Sequence, residues 1–140
     1  MIQIYGDESL EKATHYQATN FSSFILKNKA NGTFEIQNLP KQSQFSPSLG
    51  VVTHDINNDG YLDIFGVGNV YSSEVETIRY DASKNYVLLG NKNKTFEFIN
   101  DASYFNTAEA KAIKKIIINN RVHFIIMNKN DEITVLKLKQ

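Results

Sequence analysis

The stretch HDINNDGYLDIFGVGN, residues 54–69, decides how the fold of this chain is interpreted. Four of its oxygen-bearing side chains lie two or four positions apart: Asp55, Asn57, Asp59 and Asp63. An apolar, β-rich run follows at once, and a strand formed there must be buried. Three carboxylates packed this closely repel one another unless a positive charge compensates them. The stretch therefore predicts a bound cation.

Counted from Asp55 as position 1, the loop has the spacing of a calcium site. The candidate metal ligands are the side chains of Asp55, Asn57, Asp59 and Asp63 and the backbone carbonyl of Tyr61. Gly60 at position 6 permits the sharp turn that lets alternate residues converge on one ion. Hard oxygen ligands favour Ca²⁺ over zinc. The competing interpretation is a solvated turn, because Asn and Asp favour turns for local reasons; mutual repulsion of the carboxylates favours the metal.

An EF-hand or dockerin loop is excluded by two features. Such a loop places a bidentate carboxylate at position 12, and this chain has Gly66 there. A helix would also have to begin near position 9, where the sequence LDIFGVGN is rich in glycine and β-forming residues. The loop is expected to lead into a strand instead.

Composition limits the possible classes of protein. The chain has 140 residues and a formal net charge of zero, from 15 basic and 15 acidic side chains. One domain is expected, with no general electrostatic attraction to nucleic acid. Cysteine is absent, which excludes disulfides and thiol catalysis. No apolar run approaches the roughly 20 residues of a membrane span, and the N-terminal residues do not resemble a signal peptide.

An internal repeat organises the sequence. Residues 24–36, FILKNKANGTFEI, align without a gap onto residues 86–98, YVLLGNKNKTFEF, at an offset of 62. Residues 111–130 resemble residues 49–69 with a shortened turn, but this copy lacks the metal-loop carboxylates. The chain therefore consists of units of about 62 residues, and repeats of this kind indicate stacked structural units.

Each unit is expected to be a set of up to four short strands, A to D. The predicted strands are Ile2–Tyr5, Phe24–Lys27, Thr33–Gln37, Leu49–His54, Leu62–Val67, Tyr86–Gly90, Thr95–Ile99, Ala112–Ile118, Val122–Met127 and Ile133–Lys137. One helix is predicted within residues 6–20, with Asp7 or Ser9 as its N-cap. The fold class is therefore all-β, with antiparallel four-stranded blades of a partial β-propeller and one short helix. The predicted single domain, residues 1–140, divides into blades at 1–39, 48–100 and 111–140, the first without strand A and the last without strand D.

These motifs resemble the FG-GAP repeat, also called the VCBS-like repeat, of integrin-α-type β-propellers. The resemblance rests on the loop DINNDGYLD, the run LDIFGVGN and the later YVLLGNKNKTFEF, and bacterial members of the family are the most similar. It implies that the loop joins strands A and B of a blade and binds a structural Ca²⁺. About two and a half to three blades are expected, whereas a propeller closes with about four to eight. The chain is thus expected to be a C-terminal portion of a longer propeller, or to have its open edges covered by partner chains.

The function expected from this resemblance is a non-catalytic, Ca²⁺-stabilised module that binds a protein or glycan, secreted or displayed at a bacterial surface or in the periplasm. The ligand would meet the face formed by the connections between strands B and C. The long connection from Val70 to Asn85 is the main candidate, although Arg79 is expected to pair with a local carboxylate. The alternatives are the propeller portion of a larger secreted hydrolase or lyase, and a purely structural scaffold.

Other residues carry less information about function. His15, His54 and His123 share no spacing typical of a zinc site or catalytic triad, and each is expected on the surface or on a strand face. No nucleophile elbow, phosphate loop or dinucleotide motif is present. No catalytic residues, membrane span or nucleic-acid partner are predicted.

Overall fold

The computed structural model describes Ile4 and residues 6–138, and within them it is mostly β-structure. The nine strands are β1 (Phe24–Asn28), β2 (Phe34–Asn38), β3 (Ser48–His54), β4 (Asp63–Gly68), β5 (Tyr86–Gly90), β6 (Phe96–Ile99), β7 (Ala110–Ile118), β8 (Arg121–Asn128) and β9 (Thr134–Lys137). One short helix, α1 (Asp7–Glu11), precedes them, and 3₁₀ turns occupy Lys41–Gln44 and Ala102–Tyr104. The predicted all-β class is confirmed.

The strands form three antiparallel sheets in which every strand pairs with its neighbours in sequence. Sheet I contains β1 and β2, sheet II contains β3 to β6, and sheet III contains β7 to β9. Nine of the ten predicted strands are present, with ends shifted by at most two residues. The tenth, predicted over Ile2–Tyr5, lies outside the described residues except for Ile4, which has helical backbone geometry. Sheet II has the four strands of a full blade and sheets I and III have two and three, and within the described residues the sheets do not close into a barrel.

Sheet II lies between the other two sheets and has both faces covered. Alternate residues of a strand point to opposite faces, so Phe65 and Val67 of β4 pack with Phe124 and Ile126 of sheet III. Ile64 faces the other way, in a second cluster that includes residues of sheet I. All six residues of β4 are buried. This accounts for the uninterrupted apolar run IFGVG after the metal loop, because neither face of this strand meets water.

Sheets II and III meet where their first strands approach each other closely. A side chain added at Gly50 of β3 would come within 2.9 Å of the backbone nitrogen of Ile113 in β7. His54, at the end of β3, lies edge-on to Phe124 with 6.3 Å between ring centroids. The strand that leads into the metal loop is therefore fixed against the neighbouring sheet.

The helix differs from the prediction in length and in its cap. It spans only Asp7–Glu11, and Gly6 occupies the N-cap position without a side-chain hydrogen bond, so neither Asp7 nor Ser9 is the cap. The sequence pattern would have placed Ala13 and Tyr16 on the helical face beside Leu10, but both are exposed beyond the helix end. Because helices in proteins are stabilised mainly by packing of an apolar face, this segment stops after little more than a turn. No helix among the described residues is long and apolar enough to cross a membrane.

Candidate metal centre

The loop between β3 and β4 is anchored to the core at both of its ends. Ile56, near its start, is buried in the cluster shared by sheets II and III. Asp63, at its end, is fully buried, and its Oδ2 accepts a hydrogen bond of 2.6 Å from the backbone N–H of Ile56. Its Oδ1 accepts a second bond of 2.8 Å from the backbone N–H of Gly90 in β5. Asp63 thus connects the two ends of the loop to each other and to the neighbouring strand.

The exposed part of the loop curls around the carboxylate of Asp55. Asp55 Oδ1 accepts a hydrogen bond of 3.0 Å from the N–H of Asp59, and its Oδ2 accepts one of 2.8 Å from the N–H of Gly60. This curl needs left-handed backbone geometry, with φ of 59° at Asn58 and 89° at Gly60. Asparagine tolerates such angles better than most residues, and glycine adopts them freely. The sequence NNDG therefore produces the turn that was predicted at position 6.

Asn57 and Asp59 lie against each other on the solvent side of the loop. Asn57 Nδ2 donates to Asp59 Oδ2 at 2.9 Å, and Asn57 Oδ1 accepts from the N–H of Asp59 at 3.2 Å. Asp59 Oδ1 accepts from the N–H of Tyr61 at 2.9 Å. Each of these oxygens retains a second lone pair, so the loop still has acceptor capacity for a cation.

The structure brings three of the five predicted ligand residues together and places the others differently. Asp55, Asn57 and Asp59 share one hydrogen-bonded turn, and the backbone of Tyr61 continues from it. Asp63 faces the core, and both of its oxygens already accept backbone N–H groups. Within residues 4 and 6–138, no group of three or more His, Asp or Glu side chains is arranged to hold a metal ion. The solvent-facing set therefore has two carboxylates, supplemented by amide and carbonyl oxygens, and this mixture fits Ca²⁺ better than zinc.

The connection from Val70 to Asn85 packs mainly onto the segment that precedes sheet III. Val70 and Tyr80 pair through two backbone hydrogen bonds of 2.8 Å, which close the connection into a hairpin-like loop. The Tyr71 hydroxyl donates to the carbonyl of Thr107, and Lys129 Nζ donates to Ser72 Oγ at 2.9 Å. At the tip, Val75 and Ile78 are fully or almost fully exposed. The base of the loop is thus fixed, and its tip presents apolar side chains to solvent.

Arg79 makes the local contacts that were expected of it. Its Nε donates to Asp81 Oδ2 at 2.7 Å, and its guanidinium lies 4.6 Å from the centroid of the Tyr71 ring. The Asp81 hydrogen bond raises the pKa of Arg79, so the side chain is charged at any physiological pH. Arg79 therefore belongs to the fixed base of the loop.

Asn69 holds this region together, and the sequence analysis gave it no role. It is fully buried with φ of 102°, and its Nδ2 donates to the carbonyl of Ser83 at 2.9 Å. The same amide group lies within 3.3 Å of the carbonyls of Thr107 and Ala108. The dipeptide Gly68-Asn69 at a strand end could have indicated a special backbone position at Asn69, since Asn is enriched at positive φ. Its partners lie 14 to 39 residues away, so the sequence alone did not identify them.

The three histidines occupy ordinary structural positions. His54 and His123 lie in β3 and β8, and His123 Nδ1 is 3.0 Å from the carbonyl of Arg121. His15 is exposed in the segment before β1.

Comparisons of the chain with protein-family models, with curated protein sequences and with solved structures gave no match.

Proposed function

We propose that this chain is a non-catalytic binding module whose β3–β4 loop holds a structural Ca²⁺. The ligand would be a protein or a glycan at a cell surface or outside the cell, as the FG-GAP resemblance implies. The observation that carries the proposal is the curled loop itself. Asp55, Asn57 and Asp59 gather their oxygens on one turn at the junction of β3 with β4, and all six residues of β4 are buried.

The five predicted ligands fall into two groups according to their positions in the loop. The direct ligands would be the side-chain oxygens of Asp55, Asn57 and Asp59 and the carbonyl of Tyr61. Asp63 completes the set predicted from sequence, but its participation would require the loop to reorganise, because its oxygens accept N–H groups from Ile56 and Gly90. A cation here would cross-link residues close in sequence and so stabilise the turn without taking part in chemistry.

The surface proposed to meet a ligand is the side formed by the Val70–Asn85 connection. Its base is fixed by Asn69, Tyr71 and Ser72, while Val75 and Ile78 at the tip are exposed. Functional loops typically extend from a rigid scaffold in this way. Apolar side chains exposed on an ordered loop also favour a protein or ligand contact.

Calorimetric titration of the chelator-treated protein with CaCl₂ tests the metal part of the proposal. One Ca²⁺ should bind per chain, and at a hundred times the dissociation constant it should raise the free energy of unfolding by about 2.7 kcal/mol. The Asp59→Ala variant should lose this binding, because it removes one of the two carboxylates among the proposed direct ligands. The matched control is Asp131→Ala, which changes an exposed aspartate in the turn before β9. Equal Ca²⁺ affinity in the Asp59→Ala variant and its parent would refute the assignment.

A further inference from the structure

A cavity of about 370 Å³ opens on the side of sheet II where the Val70–Asn85 connection ends. Its walls come from three segments: the 3₁₀ turn before β3 with the residue after it, residues 82–85 before β5, and β6 with the residues after it. The principal lining residues are Phe45, Phe98, Phe105, Gln42, Asn85 and Asn100. Small-molecule sites in proteins are typically concave, about 300–1,000 Å³ in volume, and mostly apolar with a few polar groups. This cavity has that size and that composition.

Hydrogen bonds between the three segments fix the walls. Ser83, which is buried, donates its N–H to Ser46 Oγ and to Asn69 Oδ1, at 3.2 Å in each case. The carbonyl of Lys84 accepts a bond of 3.1 Å from the N–H of Asn106. The segment 82–85 is thereby connected both to the residues before β3 and to the residues after β6. A ligand would therefore enter a preformed site and would not have to order its walls, which lowers the cost of binding.

Asn85 supplies a polar group whose hydrogen-bonding capacity is only partly used. The residue is 5% exposed, and its Oδ1 has no hydrogen-bond partner within the described part of the chain. Its Nδ2 reaches the carbonyl of Tyr104 only at 3.4 Å, which is longer than a normal N–H···O bond of about 2.7–3.2 Å. A buried amide oxygen without a partner costs about 1–3 kcal/mol. This oxygen is itself inaccessible in the structure, so a ligand hydroxyl or N–H group in the cavity would remove that cost only after the Asn85 amide turned toward it.

The aromatic walls and amides together indicate the class of ligand. Phe45 and Phe105 each come directly after a 3₁₀ turn, and Phe98 lies in β6. Their rings offer flat apolar surface, and the amides of Gln42, Asn85 and Asn100 can both donate and accept. Among the described residues of the lining Lys84 alone is charged, and its Nζ is 6.0 Å from the centroid of the Phe105 ring. The surroundings therefore favour a neutral molecule with an apolar face and a rim of hydroxyl groups.

We propose that this cavity is a carbohydrate site that takes one neutral pyranose, with the C–H face of the sugar against the phenylalanines and its hydroxyls on the amides. The inference rests on the proposed binding function and specifies its ligand as a glycan, held beside the connection already assigned to ligand contact. It requires no metal ion, because the β3–β4 loop residues do not line the cavity.

Titration of the ¹⁵N-labelled chain with methyl glucoside, methyl galactoside and N-acetylglucosamine, followed by NMR, tests the proposal. At least one sugar should bind with a millimolar dissociation constant, and the shifted amide signals should cluster at residues 82–85 and 100–106. Phe45→Ala should weaken this binding at least about tenfold, which corresponds to about 1.4 kcal/mol. Phe45 is half exposed, so its loss should leave the fold intact. Phe21→Ala, at an exposed phenylalanine outside the cavity, should bind the sugar as the parent does.

A second variant and a parallel measurement make each result decisive. Asn100→Ala removes an exposed amide of the lining and should weaken binding as well. The site is refuted if no sugar shifts the signals at 50 mM, or if the shifts lie elsewhere on the chain. Ca²⁺ titration of the same samples separates this proposal from the preceding one. Calcium binding without sugar binding refutes the carbohydrate site alone, and sugar binding without calcium binding refutes the metal assignment alone.

Discussion

Asp63 shows how one residue of a metal-like motif can stabilise the fold directly. Its carboxylate is fully buried, where an ionised group is tolerated only with strong hydrogen bonds. The N–H groups of Ile56 and Gly90 supply them, at 2.6 and 2.8 Å. Hydrogen bonds to a charged acceptor are shorter and stronger than those between neutral groups. This role explains why an aspartate is needed at the first position of β4 whether or not a cation is bound.

Asp63→Ala should therefore destabilise the chain even in the presence of a chelator. Two buried N–H groups would lose their acceptor, and the free energy of unfolding should fall by at least about 2 kcal/mol. Urea denaturation in EDTA measures this change. Asp59→Ala serves as the control, because Asp59 is exposed and its loss should have a much smaller effect without metal. An Asp63→Ala variant as stable as the parent in EDTA would show that the carboxylate acts only through a metal.

At the scale of the strand pair, Gly66 and Tyr86 form a cross-strand contact that leaves no room for a side chain. The two residues are partners in the β4–β5 register, and the Tyr86 ring lies over the glycine. A Cβ added at Gly66 would come within 2.0 Å of a ring carbon. The Tyr86 hydroxyl is 2.9 Å from Ser48 Oγ, so the ring is held from its far end as well. The glycine at position 12 of the loop numbering thus has a packing role in the strand.

Gly66→Ala is expected to lower the free energy of unfolding by about 1–3 kcal/mol, the usual cost of overpacking a rigid core. Thermal or urea denaturation of the variant measures this. The same substitution made in the Tyr86→Leu background should cost less, because the ring that it strikes is absent. A double-mutant cycle isolates this coupling. Equal costs in the two backgrounds would argue against the ring contact as the cause.

The strands were predictable because each is a short run of β-forming residues with turn-forming residues close to both of its ends. The segments YVLLG and FEF are bounded by Asn, Lys and Gly turns, and β5 and β6 form there, with β6 starting one residue later than predicted. The curl at Asn58 and Gly60 followed equally from local chemistry. Contacts between distant residues were not predictable. Asp63 meets Gly90 across 27 residues, and the Phe45–Phe105 cavity combines three separate segments.

For the helix, a local sequence pattern predicted more regular structure than the chain forms. Apolar residues at helical spacing predicted a longer element, but of residues 6–20 only Asp7–Glu11 are helical, and Ala13 and Tyr16 beyond them are exposed. Periodicity specifies which face of a helix could be buried, and tertiary packing decides whether that face is used.

Across the whole molecule, the exposed face of sheet I resembles a face that is covered in sheet II. Shifted by 62 residues, the pairs of β1–β2 coincide with those of β5–β6, for example Leu26–Ile36 with Leu88–Phe98. Leu88 and Phe98 pack in the cluster that faces sheet I, whereas Leu26 and Ile36 are about half exposed. Exposed apolar faces of this kind indicate interaction surfaces. The exposed apolar face of sheet I is therefore a candidate interaction surface.

The attachment of the Val70–Asn85 connection to sheet III should depend on pH through Glu109, which lies just before β7. It is buried, and its carboxylate accepts a hydrogen bond of 2.8 Å from Lys111, with Lys129 Nζ 3.9 Å away. The Lys111 bond holds the pKa of Glu109 below its usual 4.5, although burial opposes this, and the Tyr71 N–H and the Lys129 charge lower the pKa further.

Because the folded-state pKa is lowered, the stability that Glu109 contributes is fully present above about pH 4.5 and is lost as pH falls through the folded-state pKa. Glu109→Gln should therefore lower the melting temperature near neutral pH, and its difference from the parent should shrink as the pH falls toward 3. Calorimetric melting curves between pH 7 and pH 3 measure this convergence, with the exposed Glu132→Gln as control. A constant difference across this range would mean that the Glu109 contacts stabilise the fold through packing, independently of its charge.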